Sequence, residues 1–119
     1  MINIEKSILV DVISDTAFDV ICDFERYPDF LPEVEGANIV NDKPNSKDVF
    51  FTINFMRRVE YTLRFNLKNK DNVTWKLIDG DGTINDNSGF WSIEKRDGSK
   101  SKITYHVNLN FNMQLPTSI

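Results

Sequence analysis

A chain of 119 residues with nine Phe, two Trp and three Tyr has the length of one domain, 1–119, and enough aromatic mass for a sizeable core. Its formal net charge of −4 disfavours nonspecific attraction to nucleic acid or anionic lipid, and no segment approaches the roughly 18 apolar residues of a membrane-spanning helix. A single cysteine, Cys22, excludes an intramolecular disulfide and fits a cytoplasmic location, and Glu5 and Lys6 stand where a signal peptide would be apolar.

Taken in order, Ile2–Val10 is a strand with Ile2, Ile4, Ile8 and Val10 on one face. Ser14 or Asp15 is suited to cap a helix, and Ala17, Phe18, Ile21 and Phe24 follow at helical spacing, so an amphipathic helix is expected over roughly 16–24. Pro28 and Pro32 break it, leaving a short second helix or turn that carries Tyr27, Phe30 and Leu31 to the rest of the fold. Strands are then expected around 37–41, 49–56, 59–68 and 73–78. Turns fall at 42–47, Arg57-Arg58, 70–72 and Asp79-Gly80-Asp81-Gly82, and Asn85–Ser88 reads as a further polar, turn-like patch. Two long strands, 89–95 and 102–113, close the series around Asp97-Gly98-Ser99. The sum is an α+β domain: a seven-stranded antiparallel sheet with short helices after the first strand. Pro116 has the look of a helix start, so a helix is expected to begin where the sequence stops.

Candidate chemistry is sparse. Asp79, Asp81 and Asp86 lie among glycines, but a calcium loop would need Gly at Ile84 and Glu at Phe90, so a turn without metal is expected. His106, the one histidine, has the parity of Asn108 and Asn110 and belongs to the wet face. Cys22 lacks any nucleophile motif and suits packing. No residue qualifies as catalytic, and no cofactor is expected.

The apolar face is the stronger candidate. Phe55, Tyr61, Leu63, Phe65, Trp75, Leu77, Trp91, Ile93, Tyr105, Val107 and Leu109 all carry odd numbers along a meander. If the turns keep parity, they converge on one surface, with Tyr27 and Phe30 brought over it. Arg57, near a strand end with the parity of Phe55, could hold a ligand's polar head at a cavity mouth; a turn arginine pointing to water is the plainer reading. For each aromatic taken singly, ordinary core is likewise the plainer reading. As a set they exceed what one short helix pair can cover, which leaves a ligand, a further helix or a partner to fill the space.

The order of strand, Asp23-Phe24-Glu25-Arg26-Tyr27-Pro28-Asp29-Phe30-Leu31-Pro32, then six strands carrying Val73-Thr74-Trp75-Lys76-Leu77, Gly89-Phe90-Trp91-Ser92-Ile93, Ile103-Thr104-Tyr105-His106-Val107 and Leu115-Pro116, resembles the START-like helix-grip superfamily (SRPBCC). It is similar above all to the polyketide cyclase/dehydrase branch and the coenzyme-Q-binding proteins. After Pro32 it has Glu33-Val34, where the coenzyme-Q branch often has an aromatic-Cys pair. The resemblance implies a sheet curved around a long C-terminal helix with a hydrophobic cavity between them. In this sequence that helix is expected to be truncated. The function implied is binding of a hydrophobic small molecule: a lipid, an isoprenoid quinone or a polycyclic aromatic. An aromatase/cyclase-like enzyme is a second reading, and a protein-interaction module is a third. In the third, a homodimer or a protein partner would cover the open sheet face.

Overall fold

The computed structural model describes residues 1–112. Seven antiparallel strands make one sheet: β1 (Ile2–Val10), β2 (Val34–Lys43), β3 (Ser46–Phe55), β4 (Arg57–Asn66), β5 (Asn72–Gly80), β6 (Ile84–Arg96) and β7 (Lys100–Phe111). The spatial order is β1-β7-β6-β5-β4-β3-β2, so β2 to β7 form a meander and β1 closes on β7. Between β1 and β2 run helix α1 (Ser14–Ile21) and a 3-10 helix (Phe24–Asp29).

The cross-strand register carries parity around the sheet. Phe51 lies opposite Tyr61, Phe65 opposite Trp75, Trp75 opposite Gly89, Trp91 opposite Tyr105, and Tyr105 opposite Lys6. Facing pairs share a side of the sheet, so these residues form one inner face. The core lies on it: Val49, Val59 and Val73 are fully buried, with Leu63, Phe65 and Val107 beside them. The 3-10 helix seals one end. Phe24 is fully buried there, its ring 4.2 Å from that of Phe65.

Several local expectations are corrected. Helix α1 ends at Ile21, and Phe24 opens the 3-10 helix instead of closing α1. The residue before α1 is Ile13, in extended backbone with no side-chain cap; its carbonyl accepts the first helical bond from Ala17 N–H at 3.1 Å. Met56 alone makes the turn between β3 and β4, with φ of 61°, so Arg57 and Arg58 already belong to β4. The segment Asn85–Ser88 is strand, because Asn87 turns inward and finds a buried partner. Asp81 does sit in a turn, where its carboxylate accepts the Glu60 and Thr83 backbone N–H groups at 3.0 and 2.9 Å. The expected helix at Pro116, with Met113 and Leu115, lies outside the described residues.

On the outer face, Arg64 grips Asp48 with two hydrogen bonds of 2.8 and 3.0 Å. Hydrogen bonding from Arg64 holds the Asp48 carboxyl below the usual carboxylate range, against the opposing effect of burial. A carboxyl whose folded pKa is depressed stabilises the fold above its unfolded pKa, and that contribution disappears as pH falls through the folded value. Asp48→Asn is therefore expected to lower the urea midpoint at pH 7, with the gap to wild type narrowing as pH falls below the usual carboxylate range. A gap that stays constant as pH falls would contradict this role.

Candidate functional site

The inner face does not pack solid. A cavity of about 650 Å³ lies between the sheet and the 3-10 helix. Tyr27 from the 3-10 helix and Leu31 beyond it cover one side. The floor is aromatic, built by strand register. Phe51 and Tyr61 rings lie 5.8 Å apart, Phe65 and Trp75 5.7 Å, Trp75 and Tyr105 5.6 Å in a stack, and Trp91 and Tyr105 4.6 Å. Gly89 makes this floor possible. It faces Trp75 across the β5–β6 ladder, and an added Cβ would lie 2.8 Å from the indole and 2.0 Å from the His106 carbonyl oxygen.

Of the residues expected at the site, Tyr27, Tyr61, Leu63, Phe65, Trp75, Trp91 and Tyr105 border the cavity. Phe55, Leu77 and Val107 pack in the core beside it, Phe55 stacked on Phe111 at 4.9 Å. Ile93 lies under α1 with Ala17 and Ile21. Phe30 is exposed, with its ring 5.5 Å from Tyr27. Arg57 is exposed at the β4 start and donates to Thr83 Oγ1, away from the cavity. Its engagement with the β5–β6 turn replaces the mouth position suggested by parity alone.

The sequence reading left out several wall residues. Phe51 pairs with Tyr61, and its odd number on β3 was the available signal. Lys6, Ser7, Ile8 and Ile103 border the cavity from the β1–β7 side, and Glu33 and Val34 from the far side. Asn87 was hidden by its polar neighbours, which suggested a turn; its parity with Gly89 and Trp91 was the clue. Its Oδ1 accepts the Trp75 indole N–H at 3.0 Å inside the protein.

The cavity wall is polar at few points and those points are mostly uncharged. Tyr27 donates its hydroxyl proton to the Ile21 carbonyl at 2.6 Å. Burial pushes the hydroxyls of Tyr27, Tyr61 and Tyr105 upward, so all three stay protonated near neutrality. Cys22 is partly buried, and burial with the nearby Asp19 charge pushes its thiol up to about 11, the behaviour of a packing cysteine. His106 is on the opposite side of the sheet, stacked on Phe90 at 5.2 Å, with Nδ1 3.3 Å from Glu5.

One flank of the inner face is open among the described residues. Ile2, Ile4 and Ile8 share that face with Leu109, Val107 and Ile103 by register, yet Ile8 is 61% exposed. No helix among the described residues is long and apolar enough to cross a membrane.

Comparison with known proteins bears on this geometry. The family model described as polyketide cyclase/dehydrase and lipid transport matches residues 10–119. Solved structures with similar folds include the ZhuI aromatase/cyclase of a Streptomyces species, with a TM-score of 0.84 and 16% identity over 95% of this chain and 70% of that one. A START superfamily protein of Mycobacterium smegmatis gives 0.83 and 16% over 98% and 81%. A STAR-related lipid transfer protein of Xanthomonas axonopodis gives 0.78 and 13% over 96% and 72%. At these identities the likeness is one of fold. No curated protein sequence matches the chain.

Proposed function

Because the chain belongs to the polyketide cyclase/dehydrase and lipid transport family, we propose that residues 1–119 act as one domain that binds a hydrophobic small molecule. The ligand class is a lipid, an isoprenoid quinone or a polycyclic aromatic. The observation that carries this reading is the cavity of about 650 Å³ floored by Tyr61, Phe65, Trp75, Trp91 and Tyr105. Ligand pockets have this size and this balance of apolar wall and few polar groups. Affinity would come from apolar area removed from water, at roughly 25 cal/mol per Å² before the costs of binding. The exposed isoleucines of β1 support a second surface acting with the first, covered by a second copy of the chain or by a protein partner. A cytoplasmic location accords with the single reduced cysteine.

The test is a titration with a quinone bearing an apolar tail. Saturable quenching of Trp75 and Trp91 emission is the expected result, and quenching that rises linearly without saturation would overturn the reading. An aromatase/cyclase activity is the second reading, favoured by the family's description. Among the described cavity residues the ionisable groups are the three protonated tyrosines and the exposed Lys6 and Glu33. Turnover would have to use those groups, and loss of product with Tyr105→Phe in a cyclisation assay would favour catalysis over binding alone.

A further inference from the structure

One cation interrupts the apolar stripe that β1 turns toward the cavity. Ile2, Ile4, Lys6, Ile8 and Val10 alternate onto one side of the strand, the side that faces Leu109, Val107, Tyr105 and Ile103 across the β1–β7 ladder. Four of those five positions are aliphatic, and the fifth is Lys6, which lies opposite Tyr105 and borders the cavity. Among the described residues, Arg26, Lys47, Arg64, Arg96 and Lys100 each pair with a carboxylate at 3.6 Å or less, whereas Lys6 makes no such pair. Glu5, its neighbour in sequence, points to the other side of the sheet and meets His106 at 3.3 Å. Glu33, the one acidic residue on the described cavity wall, borders the cavity from the far side.

Resting on the binding reading above, we propose that Lys6 receives the head of the ligand, and that the ligand is an amphiphile: an apolar chain or ring system ending in one carboxylate. The tail lies in the aromatic hollow, and the head stops at the open flank of β1. A lysine suits that boundary, because its four-carbon stem can lie along the neighbouring isoleucines while the ammonium stays at the water. Lys6 is exposed, so the pair forms without either ion giving up all its hydration, the loss that offsets the attraction in a fully buried ion pair. The long-range field does not help, since a formal net charge of −4 disfavours the approach of any anion, and the preference is therefore local. One lysine neutralises one charge. A phosphate monoester carries about −1.5 to −2 near neutrality and would leave an excess in a cavity that also holds Glu33, so a carboxylate fits better.

The test measures displacement of the neutral dye Nile red by decanol, decanoate and decylammonium, which differ only in the head, at pH 8 and below their micelle concentrations. Wild type is expected to bind decanoate about fivefold more tightly than decanol, the upper end for an ion pair open to solvent, and decylammonium more weakly than decanol. Lys6→Met, which keeps the stem and removes the charge, should bring the decanoate-to-decanol ratio to about one or below, and Lys6→Arg should keep it. Lys6→Gln answers the same question if Lys6→Met self-associates through the β1 edge. A wild-type ratio near one would overturn the proposal and leave Lys6 as an inward charge that keeps an edge strand from pairing with another sheet. A fivefold ratio that survives removal of the charge would overturn it as well, and so would tighter binding of decylammonium than of decanol, which would assign the head to Glu33. In each of these cases saturable displacement by decanol leaves the cavity reading in place. If none of the three compounds displaces the dye, both fall together.

Discussion

Gly89→Val is expected to destabilise the protein by roughly 3 kcal/mol or more and to remove the cavity floor. A Cβ at this position meets the His106 carbonyl oxygen at 2.0 Å and Trp75 Cζ2 at 2.8 Å. The first contact is with backbone, which cannot rotate away. Relief requires β6 to move off β7, and the ladder between them runs the length of both strands. The second contact displaces the indole that forms the centre of the floor and anchors Asn87. Overpacking usually costs 1–3 kcal/mol because side chains adjust; here the backbone must. Urea unfolding measures the loss. A midpoint within error of wild type would show that β6 and β7 are not held as described.

The second large effect is expected at Phe24→Ala, a loss of about 3–5 kcal/mol. Phe24 is fully buried, with its ring 4.2 Å from Phe65 and 5.6 Å from Tyr27. Truncation leaves a void between the 3-10 helix and the sheet that the backbone can fill only by shifting that helix. Tyr27 moves with it, so the cavity wall loosens and affinity for apolar ligands falls as well. Phe30→Ala, six residues beyond Phe24 and 54% exposed, should stay within about 0.5 kcal/mol. Equal losses in the two variants would contradict the placement of the 3-10 helix.

Tyr61, Leu63, Phe65, Trp75, Trp91, Tyr105 and Val107 share a face because the pleat carries across the ladders that join them, a periodicity written in the chain, while irregularities beside Leu63 and Ile84 bring Gly80 and Ile84 onto the same face. The register puts Trp75, Trp91 and Tyr105 on one side of the sheet. Depth along the strand was not legible. Phe55, Leu77 and Val107 have the same parity as Tyr61 and Trp75, but they lie where the face is packed instead of hollow. Periodicity reports a side of the sheet, and curvature decides where that side opens. Asn87 was illegible for a different reason. A run of Asn, Asp and Ser favours turns locally, and only the indole N–H of a neighbouring strand makes an inward asparagine affordable. Arg57 shows the limit of parity near a turn: one left-handed residue, Met56, reverses the chain, and the arginine side chain goes to Thr83.

Mass spectrometry under non-denaturing conditions, applied to protein purified without organic solvent from the cells that make it, tests the central claim most directly. A hollow floored by Trp75 and Tyr105 and flanked by exposed isoleucines on β1 predicts a species heavier than the bare chain by a few hundred daltons, lost on extraction with organic solvent and restored by adding the extract back. Repeated preparations that show only the bare chain, and extracts that carry no apolar compound, would contradict it.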